Sequence, residues 1–159
     1  MKIKAPQIKQ AARIDVISPK HTLLVAYMLA EMLKNHNIEC HIHDEVFCNY
    51  EAIPYILICA QTVKNLPESY ICFQMEQTIN ERWMTENYFR ILRGASAILD
   101  YSLVNILYFS QFEELKRKLF YVPVGLAEKS AEKWDDHLSQ KYDVLFYGEL
   151  NSKRKRILL

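Results

Sequence analysis

The run Tyr55–Gln74, YILICAQTVKNLPESYICFQ, contains two short apolar segments joined by a polar stretch that carries Pro67. Tyr55 to Ala60 is apolar at every position, the pattern of a strand buried on both faces of a parallel sheet. Ser69 to Gln74 (SYICFQ) follows as the next strand. Outward from this pair the chain alternates β-rich and helical runs, the mark of an α/β layered domain. Upstream, Arg13 to Ser18 (RIDVIS) is a strand closed by Pro19, and Ile38 to His43 (IECHIH) alternates in polarity as a further strand. Between them His21 to Asn35 predicts a helix. Its packing stripe is expected at Leu24, Tyr27, Met28, Glu31 and Met32, broadened by Leu23, Ala26, Ala30 and Leu33.

Downstream, Thr85 to Arg93 predicts a helix ended by Gly94, a good C-cap residue. Ala97 to Tyr101 (AILDY) reads as a strand. Ser102 to Lys118 reads as a helix with a candidate break at Ser110-Gln111, and Ser102 is placed to cap its start. Leu119 to Val124 (LFYVPV) is a strand whose Pro123 suits an exit or edge, with Gly125 free to turn. The expected organisation is therefore a Rossmann-like domain with a mostly parallel sheet over residues 1–126, a polar linker over 127–140 and a further segment over 141–159. In that last segment Lys141 to Gly148 (KYDVLFYG) is a strongly apolar strand and Lys153 opens a basic run. One strand and a turn of helix cannot bury a core, so continuation of the natural chain is expected.

Composition sets the outer bounds. The chain has 159 residues, a formal charge of +1 and 25% charged residues, ordinary globular values that exclude collagen-like and disordered classes. No general nucleic-acid affinity is expected at that charge. The basic character is local: Lys141 to Leu159 carries five basic residues against two acidic, leaving the remainder at −2. No apolar run reaches the roughly 18 residues of a membrane span, and Met1 to Pro6 opens no signal peptide, so a cytoplasmic location is expected. Cysteines 40, 48, 59 and 72 lack a CxxC pair, and Cys40, Cys59 and Cys72 sit in expected strands as small core hydrophobes.

Three constellations carry chemistry. Gly148 to Arg156, a strand end followed by a polar loop and cations, can converge backbone N–H groups and positive charge on a phosphate; the plainer reading is a solvated basic helix start. No Walker or GxGxxG motif is present. Glu76, just past Gln74, stands where open α/β sheets gather functional groups, as a candidate general base or a hydroxyl acceptor. Its plainer role is a helix cap or a partner for Arg82. Asp100 and Tyr101 repeat that placement at the next strand end, and His21 lies near the carboxyl end of the first strand. His41 and His43 share a strand face as a metal pair would, but no third ligand is identifiable, and no metal is expected. Trp83, Tyr88, Phe89, Ile91 and Leu92 read as core.

Taken in succession, Phe73-Gln74-Met75-Glu76-Gln77, Ala97 to Ser102 with Asn105, Tyr121 to Gly125, and Tyr142 to Gly148 with Asn151, Arg154 and Ile157-Leu158 resemble a bacterial glycosyltransferase of the GT-B fold. The resemblance spans Ile14 to Leu159 and is strongest from Tyr70 onward. It implies the first of two facing Rossmann-like domains with the start of the second, a nucleotide-sugar donor and a glycan or lipid-linked acceptor in surface-polysaccharide biosynthesis. By the same resemblance Gly148, Asn151 and Arg154 would contact the donor phosphates, Glu76 would be the catalytic base, and Asp100, Tyr101 and His21 would line the acceptor side. No cofactor is implied. Most of the donor domain is missing from the sequence, so these 159 residues alone are expected not to transfer sugar. Such an enzyme works in the cytoplasm, with room for a peripheral position at the inner face of the membrane. The competing expectation is a non-catalytic Rossmann-like binding or assembly module, a homodimer exchanging the strand at Val144 to Phe146. A flavodoxin-like nucleotide regulator is disfavoured, because Ser18-Pro19-Lys20 offers little of a phosphate loop.

Overall fold

The computed structural model describes residues 12–44, 49–79 and 82–123. The chain divides into two compact units, Met1–Ala127 and Glu128–Leu159. All described residues belong to the first. The linker and the strand expected at 141–148 lie outside them, and so do Gly148, Asn151 and Arg154.

Six strands form one all-parallel sheet: β1 (Asp15–Ile17), β2 (Ile42–His43), β3 (Tyr55–Ile58), β4 (Tyr70–Gln74), β5 (Ala97–Asp100) and β6 (Leu119–Tyr121). Their order is β2-β1-β3-β4-β5-β6. The chain thus leaves β1 in one direction to make β2, then returns past β1 and runs the other way. That reversal makes the β1/β3 boundary the topological switch point, the place where doubly wound sheets open a crevice at their carboxyl ends. The expected Rossmann-like α/β layering is what the chain adopts.

Alternation along the strands divides the core in two. Ile56 and Ile58 of β3 point with Ile14, Val16 and Phe73 toward α1 (Leu23–Asn35), whose Ala26 and Leu29 cover them. Tyr55 and Leu57 point the other way with Ile17, Tyr70, Cys72 and Ile98. That side is covered by α2 (Glu86–Gly94), α3 (Leu103–Phe109) and α4 (Glu113–Lys116), through Tyr88, Phe89, Ile91, Leu92, Phe109 and Leu115. β3 is buried at all four positions, which is why its sequence is a continuous apolar run.

Two expectations are corrected. The packing stripe of α1 is rotated from the one read in the sequence: Leu24, Tyr27 and Met32 are 65%, 60% and 52% exposed, while Ala26 and Leu29 are buried. LLVAYMLAEML is apolar nearly all round, so periodicity does not single out a face, and the small Ala26 lets the helix approach the sheet closely. The strand expected over Ile38 to His43 shrinks to two paired residues, with one further bridge between Arg13 and Glu39. At the sheet edge, hydrogen bonding on one side alone holds less of it straight.

Helix ends follow local chemistry. The Thr85 hydroxyl accepts from the Tyr88 N–H at 3.2 Å and opens α2, and Ser102 accepts from the Asn105 N–H at 3.4 Å and opens α3. The long helix expected to Lys118 does break at Ser110-Gln111, giving α3 and α4. Gly94 is the last residue of α2 and Ala95, not Gly94, is its C-cap, so the glycine is required for a reason other than the expected one. It keeps a helical backbone, and a Cβ there would sit 2.4 Å from the Tyr70 hydroxyl, which donates to Ile91 O at 2.9 Å. Gly94→Ala is expected to cost about 1–3 kcal/mol by overpacking. A melting temperature equal to wild type would show that Tyr70 moves aside freely.

Candidate functional site

The carboxyl ends of β3, β4 and β5 bring together Cys59, Gln61, Glu76 and Tyr101. β3 is followed directly by Cys59, a non-glycine residue in the left-handed region at φ 55°, ψ 52°. That conformation costs about 1–3 kcal/mol and persists where surrounding structure enforces it. Here the turn Ala60–Thr62 does so, with the Thr62 N–H and hydroxyl both bonded to Cys59 O at 3.0 and 2.9 Å. The turn delivers Gln61, whose Nε2 donates to Glu76 Oε1 at 2.6 Å. Gln61 Oε1 is buried and has no hydrogen-bond partner among the described residues.

Glu76 is half-buried one residue past Met75, and burial raises its carboxyl above the ordinary range. The nearby His21 imidazole, the Gln61 hydrogen bond and Arg82 each pull it back down. His21 itself is exposed on the 3-10 turn Lys20–Thr22 that follows β1. Residues from three separate loops of the carboxyl-end crevice therefore bear on one carboxylate. Tyr101 is half-buried and its hydroxyl donates to Met75 O at 3.4 Å. Its phenol is raised first by burial, then by Asp100, Glu76 and Cys59.

Asp100 is placed differently from the cleft-lining position that the sequence led us to expect. It is 0% exposed, as is its register partner Gln74 on β4. Asp100 Oδ1 accepts from the Ser102 N–H at 2.8 Å and from Asn105 Nδ2 at 3.3 Å, and Oδ2 accepts from Gln74 Nε2 at 3.1 Å. No cation is among these partners, so desolvation outweighs the hydrogen bonds and pushes the carboxyl up to about 6. Gln74 and Asn105 reach onward to the loop: Gln74 Nε2 and Asn105 Nδ2 donate to Glu76 O at 2.7 and 2.9 Å, and the Glu76 N–H donates to Gln74 Oε1. Asn105 Oδ1 accepts from the Thr78 N–H and hydroxyl at 3.2 and 3.1 Å.

A second polar cluster sits at the β1/β2 edge. Asp15, 1% exposed, accepts from Arg13 Nε and Nη2 at 2.9 and 2.6 Å and from the His41 N–H at 3.2 Å, and lies 2.8 Å from His43 Nε2. Burial alone would raise the Asp15 carboxyl, yet the bonds from Arg13, His43 and His41 outweigh it and hold it below the ordinary range. Of the two histidines considered from the sequence as a metal pair, His43 meets Asp15 through its ring and His41 through its backbone N–H. Among the described residues no group of three or more His, Cys, Asp or Glu is arranged to hold a metal ion. The thiols of Cys72, Cys59 and Cys40 are pushed up to about 12, 11 and 11, chiefly by burial, and are poor nucleophiles near neutral pH.

Of the residues named from the sequence, Glu76 and Tyr101 are half-buried, His21 is exposed and Asp100 is fully buried, while Gln61 and Cys59 were not named as site residues and Gln74 only as part of the motif around Glu76. Gln74 carried a signal, a large polar residue closing an apolar strand. Cys59 carried none, since its backbone conformation follows from the turn. No family model, curated protein or solved structure matches the chain.

Proposed function

We propose that this chain is the acceptor-binding part of a glycosyltransferase of GT-B architecture, with Glu76 as the base that activates the acceptor hydroxyl. The observation that carries the reading is the Glu76 carboxylate itself: at a central strand end, half-buried, raised by burial and aimed by Gln61. A base so tuned suits a hydroxyl nucleophile better than a fully solvated glutamate does. The Rossmann-like sheet and the succession of motifs from Phe73 to Arg154 support the same reading. Among the described residues no helix is long and apolar enough to cross a membrane.

In an inverting transfer the acceptor oxygen attacks the anomeric carbon as Glu76 takes its proton, and the nucleoside diphosphate leaves with the bonding electrons. Gly148, Asn151 and Arg154 would meet that diphosphate, with Arg154 stabilising the charge as it develops. The donor is a nucleotide sugar and the acceptor a glycan or lipid-linked saccharide of surface-polysaccharide assembly, which puts the reaction in the cytoplasm. Titrating the chain with a panel of glycosides, followed by backbone amide NMR, tests the acceptor site. Saturable shifts concentrated at residues 59–62, 75–78 and 101–102 are expected. A panel that leaves all three segments unmoved overturns the assignment.

A further inference from the structure

We propose that Asp100 is the positioning residue for Glu76, acting through Gln74 and Asn105, which it orients so that together they hold the Glu76 backbone. The purpose of such a clamp rests on the reading of Glu76 as the base, but its existence does not. An ionised carboxylate only accepts, so Gln74 and Asn105 must both turn their NH2 groups toward Asp100. Their carbonyl oxygens are then committed to the other side, where the N–H groups of Glu76 and Thr78 wait. The second hydrogen of each NH2 is left for Glu76 O, which receives both at 2.7 and 2.9 Å.

Three backbone groups of the loop after β4 are thereby fixed by side chains in place of a sheet ladder. The orientation of both side chains is dictated by one buried carboxylate. Gln74 ends β4, whereas Asp100 ends β5 and Asn105 lies in the helix α3 that follows it, so the clamp joins two stretches 26 residues apart in sequence. All three are at most 2% exposed, so none is available to contact a substrate. Their chemistry faces inward, on the residue that is half-exposed.

Asp100→Asn is the sharpest test because it keeps the shape and exchanges one acceptor for a donor. Oδ1 serves two donors and Oδ2 one, so the new NH2 falls against Gln74 Nε2. Gln74 must then rotate its amide, which breaks both of its bonds to Glu76 at once. The expected result is amide hydrogen exchange at Glu76 and Thr78 faster by about tenfold or more, with exchange at Leu57 and Leu92 unchanged. The carboxyl titration of Glu76, followed by 13C NMR, should move down toward that of a solvated glutamate as the side chain escapes burial. Asn105→Ala should act in the same direction and most strongly at Thr78, and it carries the test should Asp100→Asn not fold. Unchanged exchange and an unchanged Glu76 titration overturn the proposal, and so does exchange that rises equally at Leu57 and Leu92. These readouts need no substrate, so a protein that binds no glycoside would remove the acceptor reading and leave the clamp standing.

Discussion

On the proposed reading, Glu76→Gln is expected to lower sugar transfer by roughly 10²–10⁴-fold when the chain is joined to a donor-binding domain. The substitution keeps the length of the side chain and an oxygen for Gln61 Nε2, now 2.6 Å from Glu76 Oε1, so the fold and the loop should survive. What is lost is the only property that the proposal assigns to the residue, a site for the acceptor proton. The pH profile supplies the second half of the test. Burial raises the Glu76 carboxyl, so the ionised base is depleted as pH falls through that raised value, and the rate should fall with it. In the glutamine variant that acid limb should vanish along with most of the rate. Initial-rate measurements across pH on both proteins decide it. A variant turning over at the wild-type rate removes Glu76 from the chemistry and returns it to the role of a loop carboxylate beside Arg82.

How much of this was legible in the sequence depended on how completely each element is buried. β3, β4 and β5 announce themselves because a central parallel strand is desolvated on both faces, and Tyr55 to Ile58 has no exposed position at which polarity is tolerated. β2 was overestimated because alternation along Ile38 to His43 says which side chains are dry, not how many residues stay paired at an edge. The face of α1 was read wrongly for the opposite reason: a helix apolar around most of its circumference has no direction to read, and the packing partners decide.

The site divides along the same line. Glu76 and Asp100 were both placed at strand ends by the alternation of strand and helix, but whether each looks outward or inward depends on cross-strand register. Gln74 and Asp100 are paired across β4 and β5, and each follows the parity of a core neighbour, Cys72 and Ile98, into the layer beneath α3. Register is a long-range property, and nothing in either strand alone states it. Asn105 could be quoted as part of a motif, yet its role appears only once α3 is laid across the ends of β4 and β5. The left-handed Cys59 belongs to the same class, since the residue type gives no hint of a backbone that favours glycine.

Asp15→Ala should cost about 3 kcal/mol of stability, because it removes the buried acceptor shared by Arg13 and His43 and leaves Arg13, among the described residues, its ion pair with Glu51 at 3.1 Å. Its pH signature separates it from a simple packing loss. The Asp15 carboxyl is depressed in the fold, so its stabilisation is fully present above the ordinary value of 3.8 and is lost as pH falls through the folded value. The gap between wild type and Asp15→Ala should therefore be widest above pH 4 and close under acid. Asp100 runs the other way. Its carboxyl is raised to about 6, so the fold binds that proton more tightly than the unfolded chain does, and stability declines as pH climbs from 3.8 toward 6 by an amount on the order of 2–3 kcal/mol. Urea unfolding of wild type and Asp15→Ala at intervals from pH 3 to 8 should resolve both effects. A gap that stays constant across the range would mean that Asp15 is as easily ionised unfolded as folded, and the ion-pair account of the β1/β2 edge would fail. The same series should show the Asp100 decline undiminished in Asp15→Ala, since the two carboxylates share no partner and their contributions should add.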